Sequence, residues 1–453
     1  MILRVLLGAA LSAALVGPAA AAVSADEAKL LGTSLTAFGA EKAGNADGSI
    51  PAYSAAATKI TPPAGADPAK GVYPNPFADE KPLFSITPQN ADQYKGKLNE
   101  GNLALFKRWP DYRMDVYKTH RTAPYPDWVL KNTQANATQA KLVNEQGDGV
   151  EGAYGGIPFP IPKNGLEVLW NHFLYWQPVA MEGLSPGYLM DASGALTNLQ
   201  ISQVYYEAQY YNPDNAALDG AYFKLKSTSV GPPRSVGEGN LAWYSMDYSK
   251  ITQKAWSYAP GQRRVRLAPE FTYDTPAAPY GGALFYDEIF LFSGRPDRFD
   301  WKLVGKKEMY VPYNAYDLVN SSPDQAMGPQ HLNNARQRWE LHRVWEVEAT
   351  LKQGARHVFS KRKFYFDEDS WKIVLATGYD QAGEIYRTGN QNCYQVYDPN
   401  TPWMSCTFTI YDLAKGQYMS TPLWGGKNGF LRTVPLRPAA ETTSGGLAGS
   451  GIR

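Results

Sequence analysis

The chain is nearly devoid of cysteine: Cys393 and Cys406 are its only two. That excludes a cysteine-rich metal scaffold and leaves room for one disulfide. Histidine is also scarce, with His120, His172, His331, His342 and His357 spread along 453 residues. The last three flank or enter neighbouring strands and are the set a fold can gather. Ordinary polar histidines remain the plainer reading, so no metal and no cofactor is expected. Charge of one sign is missing as well. Lys plus Arg total 44 against 43 Asp plus Glu, a formal net charge of +1. Such a balance gives no electrostatic case for nucleic acid or an anionic membrane. No hydrolase, zincin, P-loop or dinucleotide motif occurs in a suitable context, so no catalytic residue is assigned and the chain reads as a non-enzyme.

Only one apolar run stands out, and it lies at the N-terminus. A short basic segment to Arg4 precedes the uncharged stretch 5–16, and small residues then offer cleavage after Ala22 or Ala25. The run is short for a membrane span and has the form of a secretory leader. An exported protein of a bacterial periplasm is expected, without a lipid anchor, because no cysteine lies near the cleavage point. In that compartment a disulfide is chemically permitted. The segment "YQVYDPNTPWMS" between Cys393 and Cys406 folds as a hairpin around Pro399-Asn400, which sets the two cysteines opposite each other. Closing a loop of that length stabilises by about 3 kcal/mol in the chain-entropy model.

What the sequence has in quantity is aromatic surface: 30 Tyr and 12 Trp. These suit half-buried sheet faces, interfaces or apolar ligand pockets. The order of elements is legible from punctuation. Residues 23–84 are rich in Pro, Gly and Ala and read as an irregular arm. Three helices are predicted over 88–109, 126–145 and 165–176, each with Pro or Gly at its start. From about Tyr188 the pattern becomes Tyr-rich and β-branched, a long run of strands ending near residue 432. Residues 433–453 read as a flexible tail. "NADGS" (45–49) and "DEDS" (367–370) read as turns. The fold class is α+β: a large antiparallel sheet over 85–432 that must curl or close, wrapping a few helices.

Long blocks support a resemblance. "SYAPGQRRVRLAPEFTYDTP", "DRFDWKLVGKKEMYVPYN" and "ELHRVWEVEATLKQGARHVFSKRKFYFDEDSW" resemble the domain-of-unknown-function family numbered 1329. "EKAGNADGSIPAY" and "GIPFPIPKNGLEVLWNH" are similar to its N-terminal half. The resemblance implies a fold of the LolA/LolB lipoprotein-carrier type, a half-open curved sheet around helices and an apolar cavity. It also implies an association with exporters of the resistance-nodulation-division (RND) class or an outer-membrane protein. It assigns no catalytic residue.

Three arginines sit where strand alternation demands apolar side chains: Arg263 beside Val265 and Leu267, Arg343 in "LHRVWEVEATL", and Arg362 in "VFSKRKFYF". Buried unpaired, each would cost several kcal/mol. Either they pair with carboxylates, or they line an apolar cavity and present charge to an amphiphile's head group. On the second reading, the ligand site comprises Arg263, Arg343 and Arg362 with Trp301, Trp345 and Phe364 as apolar wall. Its floor is formed by strands 262–267, 301–311, 341–351 and 358–366. The expected function is a periplasmic carrier of a hydrophobic or amphiphilic molecule; the alternative is a ligand-free adaptor docking on an RND-type exporter.

Overall fold

The computed structural model describes residues 23–215, 220–268, 271–423 and 429–450, so the leader lies outside the described residues. Eighteen strands follow one another among them: β1 (Phe84–Ile86), β2 (Met114–Val116), β3 (Lys141–Leu142), β4 (Val150–Glu151), β5 (Ala180–Met190), β6 (Leu196–Glu207), β7 (Ala221–Gly231), β8 (Gly239–Ser245), β9 (Lys254–Ala259), β10 (Arg264–Leu267), β11 (Phe299–Pro312), β12 (Trp339–Leu351), β13 (Lys361–Asp367), β14 (Ile373–Tyr379), β15 (Ile385–Val396), β16 (Trp403–Asp412), β17 (Gln417–Thr421) and β18 (Phe430–Thr433). Sixteen join one sheet in the order β1-β2-β12-β13-β14-β15-β16-β17-β5-β6-β7-β8-β9-β10, with β11 on β12 and β18 on β5. Pairing is antiparallel except where Val116 of β2 meets Trp339 of β12. Cys393 and Cys406 face each other in the β15–β16 register and are joined by a disulfide.

The sheet curls around one helix. At the usual ~4.8 Å between strands, the nine steps from β11 to β7 would span about 43 Å if flat. Yet the helix Gly165–Phe173, only about 14 Å long, touches both ends of that path. A methyl group on Gly165 would come within 2.9 Å of the Trp301 backbone on β11. Trp170 lies 6.1 Å from Tyr222 on β7, ring centre to ring centre. The inner face therefore closes over this helix, and no strand pairing joins β10 to β11 to complete a barrel.

Alternation along β11 shows how the sequence chooses faces. Phe299 and Trp301 point inward while Asp300 and Lys302 are exposed. At Val304 the register slips by one residue against β12, and Gly305 takes φ 147°, a conformation that glycine tolerates. The extra residue turns Lys306 to the face of its partner Trp345, which sets up a partly buried ion pair described below. The opposite face of β12–β16 is covered by helix Glu100–Arg108. Its Leu105 and Phe106 join Tyr365, Leu375 and Tyr411 in a second core.

Three expectations are corrected in detail. The helix expected over 88–109 is split into a 3-10 segment, Ala91–Lys97, and the α-helix Glu100–Arg108. Asn99 caps the second part by accepting from the Asn102 N–H, as a strong N-cap residue does wherever it starts a new helix. The helix expected over 126–145 ends at Gln139, because Lys141–Leu142 pair with Val150–Glu151 instead. The tail is not a free end: β18 pairs with β5, and a helix at Ser444–Ser450 lays Leu447 on the outer face against Leu241 and Tyr258. A stretch rich in Gly, Ser and Thr hides this, since Leu447 is the one large apolar residue of the helix. The arm before Phe84 has few regular elements, and its Phe38, Ile50 and Tyr73 are buried.

Candidate functional site

Two of the three arginines, Arg362 and Arg343, resolve as pairing devices. Arg362 is buried on β13, and its Nη1 lies 2.8 Å from Asp287 Oδ2. His357 Nε2 meets the same oxygen at 2.9 Å. Burial raises the Asp287 carboxyl, and Arg362 with His357 more than reverses this, so it sits below the usual carboxylate value. The next residue, Glu288, takes buried Arg387 of β15. Asp287 and Glu288 belong to the loop between β10 and β11, so two arginines of the sheet pin that loop against the inner face. Arg343 pairs with Glu41 of the arm at 3.4 Å and with Glu368 at 3.5 Å. Arg263 is on no strand face: it sits in an exposed turn before β10 with φ 49°.

The turn read as plain, 367–370, is a buried charge hub. Arg121 holds Asp369 with two hydrogen bonds, at 2.8 and 2.6 Å, and Lys306 reaches Glu368 at 2.8 Å. Asp367 accepts from Ser370 and Tyr313. His342 lies between Glu340, 3.2 Å away, and Asp367, 3.6 Å away. Donor atoms of His342, Asp367 and Asp369 fall within 4.8 Å of one another, a spacing that a metal could use. Arg121 already neutralises Asp369, and Ser370 and Tyr313 bond Asp367 at Oδ2, while its Oδ1 accepts no hydrogen bond from the described residues and faces His342 at 3.6 Å, so the group reads as an ion-pair network. His331 and His357 lie elsewhere, beside Asp111 and Asp287 respectively.

The apolar cavity lies across the sheet from the expected floor. Its largest lobe, of about 100 Å³, opens under β5–β9 and is walled by Val204, Tyr206, Leu225, Ala242, Tyr244, Tyr280 and Phe408. Two smaller lobes, of about 40 and 30 Å³, run on beneath it toward Tyr175, Phe223 and His172. Phe290 lines all three, with φ 58°, a left-handed backbone that is uncommon for an aromatic residue. Gln391 Nε2 donates to the Phe290 carbonyl at 2.8 Å and holds it in place. None of Arg263, Arg343, Arg362, Trp301, Trp345 or Phe364 lines these lobes. Trp301 and Phe364 stack 5.5 Å apart within the solid part of the core, and Trp345 stacks on Trp371 at 6.4 Å. The expected floor is filled because the loop between β10 and β11 lays Phe292 onto Trp301 and Phe364.

One lining residue is chemically out of place. Lys372 is 3% exposed, lines the middle lobe and places its Nζ 3.2 Å from the centre of the Tyr175 ring. Among the described residues no hydrogen bond or ion pair is recorded for that amine, and burial pushes it well below its ordinary lysine value. Nearby His172 accepts from the Ile373 N–H through Nδ1, and burial followed by the charge of Lys372 brings its pKa down to about 3. The position of Lys372 follows from the turn before it. Trp371 has φ 60° and donates its indole N–H to the Phe38 carbonyl, which fixes where the chain re-enters β14. Sequence reasoning missed Lys372, since a lysine following "DEDSW" reads as solvated. The sequence Gly183-Leu184-Ser185-Pro186-Gly187, which has nucleophile-elbow spacing, runs within β5 in register with β6 and makes no sharp turn.

The architecture is that of a half-open antiparallel sheet closed over a central helix, with an aromatic cavity on its inner face. Residues 85–445 match the family described as "Protein of unknown function (DUF1329)", and the chain belongs to that family. An uncharacterized protein of Pseudomonas aeruginosa, PA3922, is 44% identical over 411 residues, which cover 88% of each chain. Among solved structures, a putative outer membrane lipoprotein-sorting protein domain from Vibrio parahaemolyticus is 12% identical with a TM-score of 0.43, covering 63% of this chain and 98% of that one. A DUF1329 family protein from Desulfovibrio piger is 13% identical with a TM-score of 0.42, covering 62% and 97%.

Proposed function

We propose that this protein is a non-enzymatic periplasmic carrier that takes an apolar chain into the Tyr- and Phe-walled cavity beneath β5–β9. The observation that carries this reading is the cavity itself: space left among Val204, Leu225, Ala242, Tyr244 and Phe408 in an otherwise tightly filled interior. Cavities with apolar walls and few polar groups bind hydrophobic ligands, and dry apolar space gains from being filled. Export rests on the N-terminal leader pattern, and the Cys393–Cys406 bridge suits an oxidising compartment. Work with an envelope transporter of the RND type belongs to this proposal.

The test is native mass spectrometry of protein purified from its own periplasm, with uptake of N-phenyl-1-naphthylamine as a fluorescence probe. A retained lipid-sized mass, or saturable uptake that a bound lipid displaces, supports the carrier. A bare chain that takes up no probe and co-purifies with a transporter would replace it with the adaptor.

A further inference from the structure

The cavity holds one basic group and, among the described residues that line it, no acid to match it. Elsewhere in the interior each buried arginine discussed meets a carboxylate: Arg121 with Asp369, Arg343 with Glu368, Arg362 with Asp287, Arg387 with Glu288. Lys372 instead faces an aromatic ring and the space of the middle lobe. Folded chains seldom bury a lysine without a partner, because the unpaired amine loses its hydration for no return. Among the described residues the other polar groups of this lobe, Gln177, Gln391 and Ser405, are neutral dipoles, and His172 of the neighbouring lobe is an acceptor at Nδ1.

Building on the carrier reading, we propose that Lys372 anchors the carboxylic acid group of an amphiphile whose chain runs past Tyr206 and Phe290 into the larger lobe. One amine among neutral dipoles matches one monobasic acid. A phosphate head group, with more charge, would find no second cation among the described lining residues. The charge balance is closed. A protonated acid enters neutral; where it meets the amine in its neutral form its proton passes to Nζ, and the ammonium–carboxylate pair forms in place. No net charge is carried into the interior. The face of Tyr175 then supports the ammonium, as aromatic faces do for cations.

The test compares decanoic acid with 1-decanol on the full mature protein and on Lys372→Met, by titration calorimetry. The wild type is expected to bind both. The variant should keep decanol and lose about 30-fold in decanoate affinity, the size of one charge-assisted hydrogen bond. Unchanged decanoate affinity in Lys372→Met overturns the anchor and leaves the carrier standing. Wild type that binds decanol but not decanoate does the same. Wild type that binds neither defeats both readings. Should Lys372→Met fail to fold, reductive methylation of wild type with formaldehyde and a borane reads the same point. Decanoate, and not decanol, is expected to slow methylation of Lys372; equal rates with either would overturn the anchor.

Discussion

Arg362 on β13 and Asp287 in the loop between β10 and β11 form a buried ion pair, 2.8 Å apart. His357 closes on the same carboxylate, and the Arg362 guanidinium lies between the rings of Phe292, Phe359 and Phe364 at about 5 Å from each. The pair therefore ties the loop that carries Phe290 to the wall of the sheet. Replacing Arg362 by Met keeps the volume but leaves Asp287 charged and poorly matched. A loss of about 3–5 kcal/mol is expected, the usual result of breaking one side of a buried pair. Urea unfolding of Arg362→Met measures this. A variant as stable as wild type would show that the loop is held by its aromatic contacts alone.

The alternation of "VFSKRKFYF" and "LHRVWEVEATL" was enough to flag Arg362 and Arg343 as charges on inward faces. It did not name their partners, because Asp287, Glu41 and Glu368 come from segments 25 to 302 residues away in sequence. Arg263 misled for a local reason: strand β10 begins one residue later, and a left-handed residue has no place in the alternation. The Cys393–Cys406 hairpin was readable because its register is set over a short span. The cavity was not readable in place. Its location depends on which part of the sheet the segment 271–298 fills, and Phe292 of that segment fills the Trp301–Phe364 side. Lys372 escaped because its inward course is set by the Trp371 backbone and by Phe38 of the arm, neither visible in the string "DEDSWK".

The charge hub gives a pH dependence with a definite sign. Burial alone would lower the His342 imidazole, but the carboxylates of Asp367 and Glu340 hold it up at about 9. An unfolded histidine titrates near 6.5, so the protonated ring stabilises the fold fully below about pH 6.5. That contribution is lost as pH rises through about 9. Burial would raise Glu340, and His342 and Arg338 bring it down to about 2. Its contribution is present above the ordinary carboxylate range and is lost as pH falls through about 2. Thermal unfolding of wild type should show a plateau near pH 6 and a fall between pH 7 and 9. His342→Gln should be less stable at pH 6 by about 3 kcal/mol and lose that fall. An unchanged alkaline slope in the variant would assign the slope to other groups.

The folded tail makes a prediction about truncation. Leu447 is 1% exposed between Leu241 and Tyr258, on the face of β8–β10 away from the cavity. Lys226 Nζ donates to the Glu441 carbonyl, and the Trp243 indole donates to the Thr442 carbonyl. Leu447→Ala should cost about 2–4 kcal/mol, as for a buried leucine. A chain ending at residue 438 should show faster amide exchange in β8 and β9 than in β13 and β14. Equal exchange in both regions would mean that the tail merely rests on the sheet.

Ala242 offers the most direct test of the cavity, because its small side chain lies on the wall of the largest lobe opposite Leu225 and Ala255. Ala242→Phe places a ring in the space that a ligand would fill. Where a wall residue faces unfilled volume, a larger side chain is accommodated or even stabilises; where it faces packed atoms, overpacking costs about 1–3 kcal/mol. The expected outcome is therefore paired: a melting temperature at or above that of wild type, together with uptake of N-phenyl-1-naphthylamine reduced at least about tenfold. Gly165→Ala is the matched control at a filled position. Its new methyl group would come within 2.9 Å of both the Trp301 backbone and the Val347 side chain, so it should destabilise by about 1–3 kcal/mol. The two measurements together separate space from packing. A destabilised Ala242→Phe that still takes up the probe would place the binding surface outside these lobes.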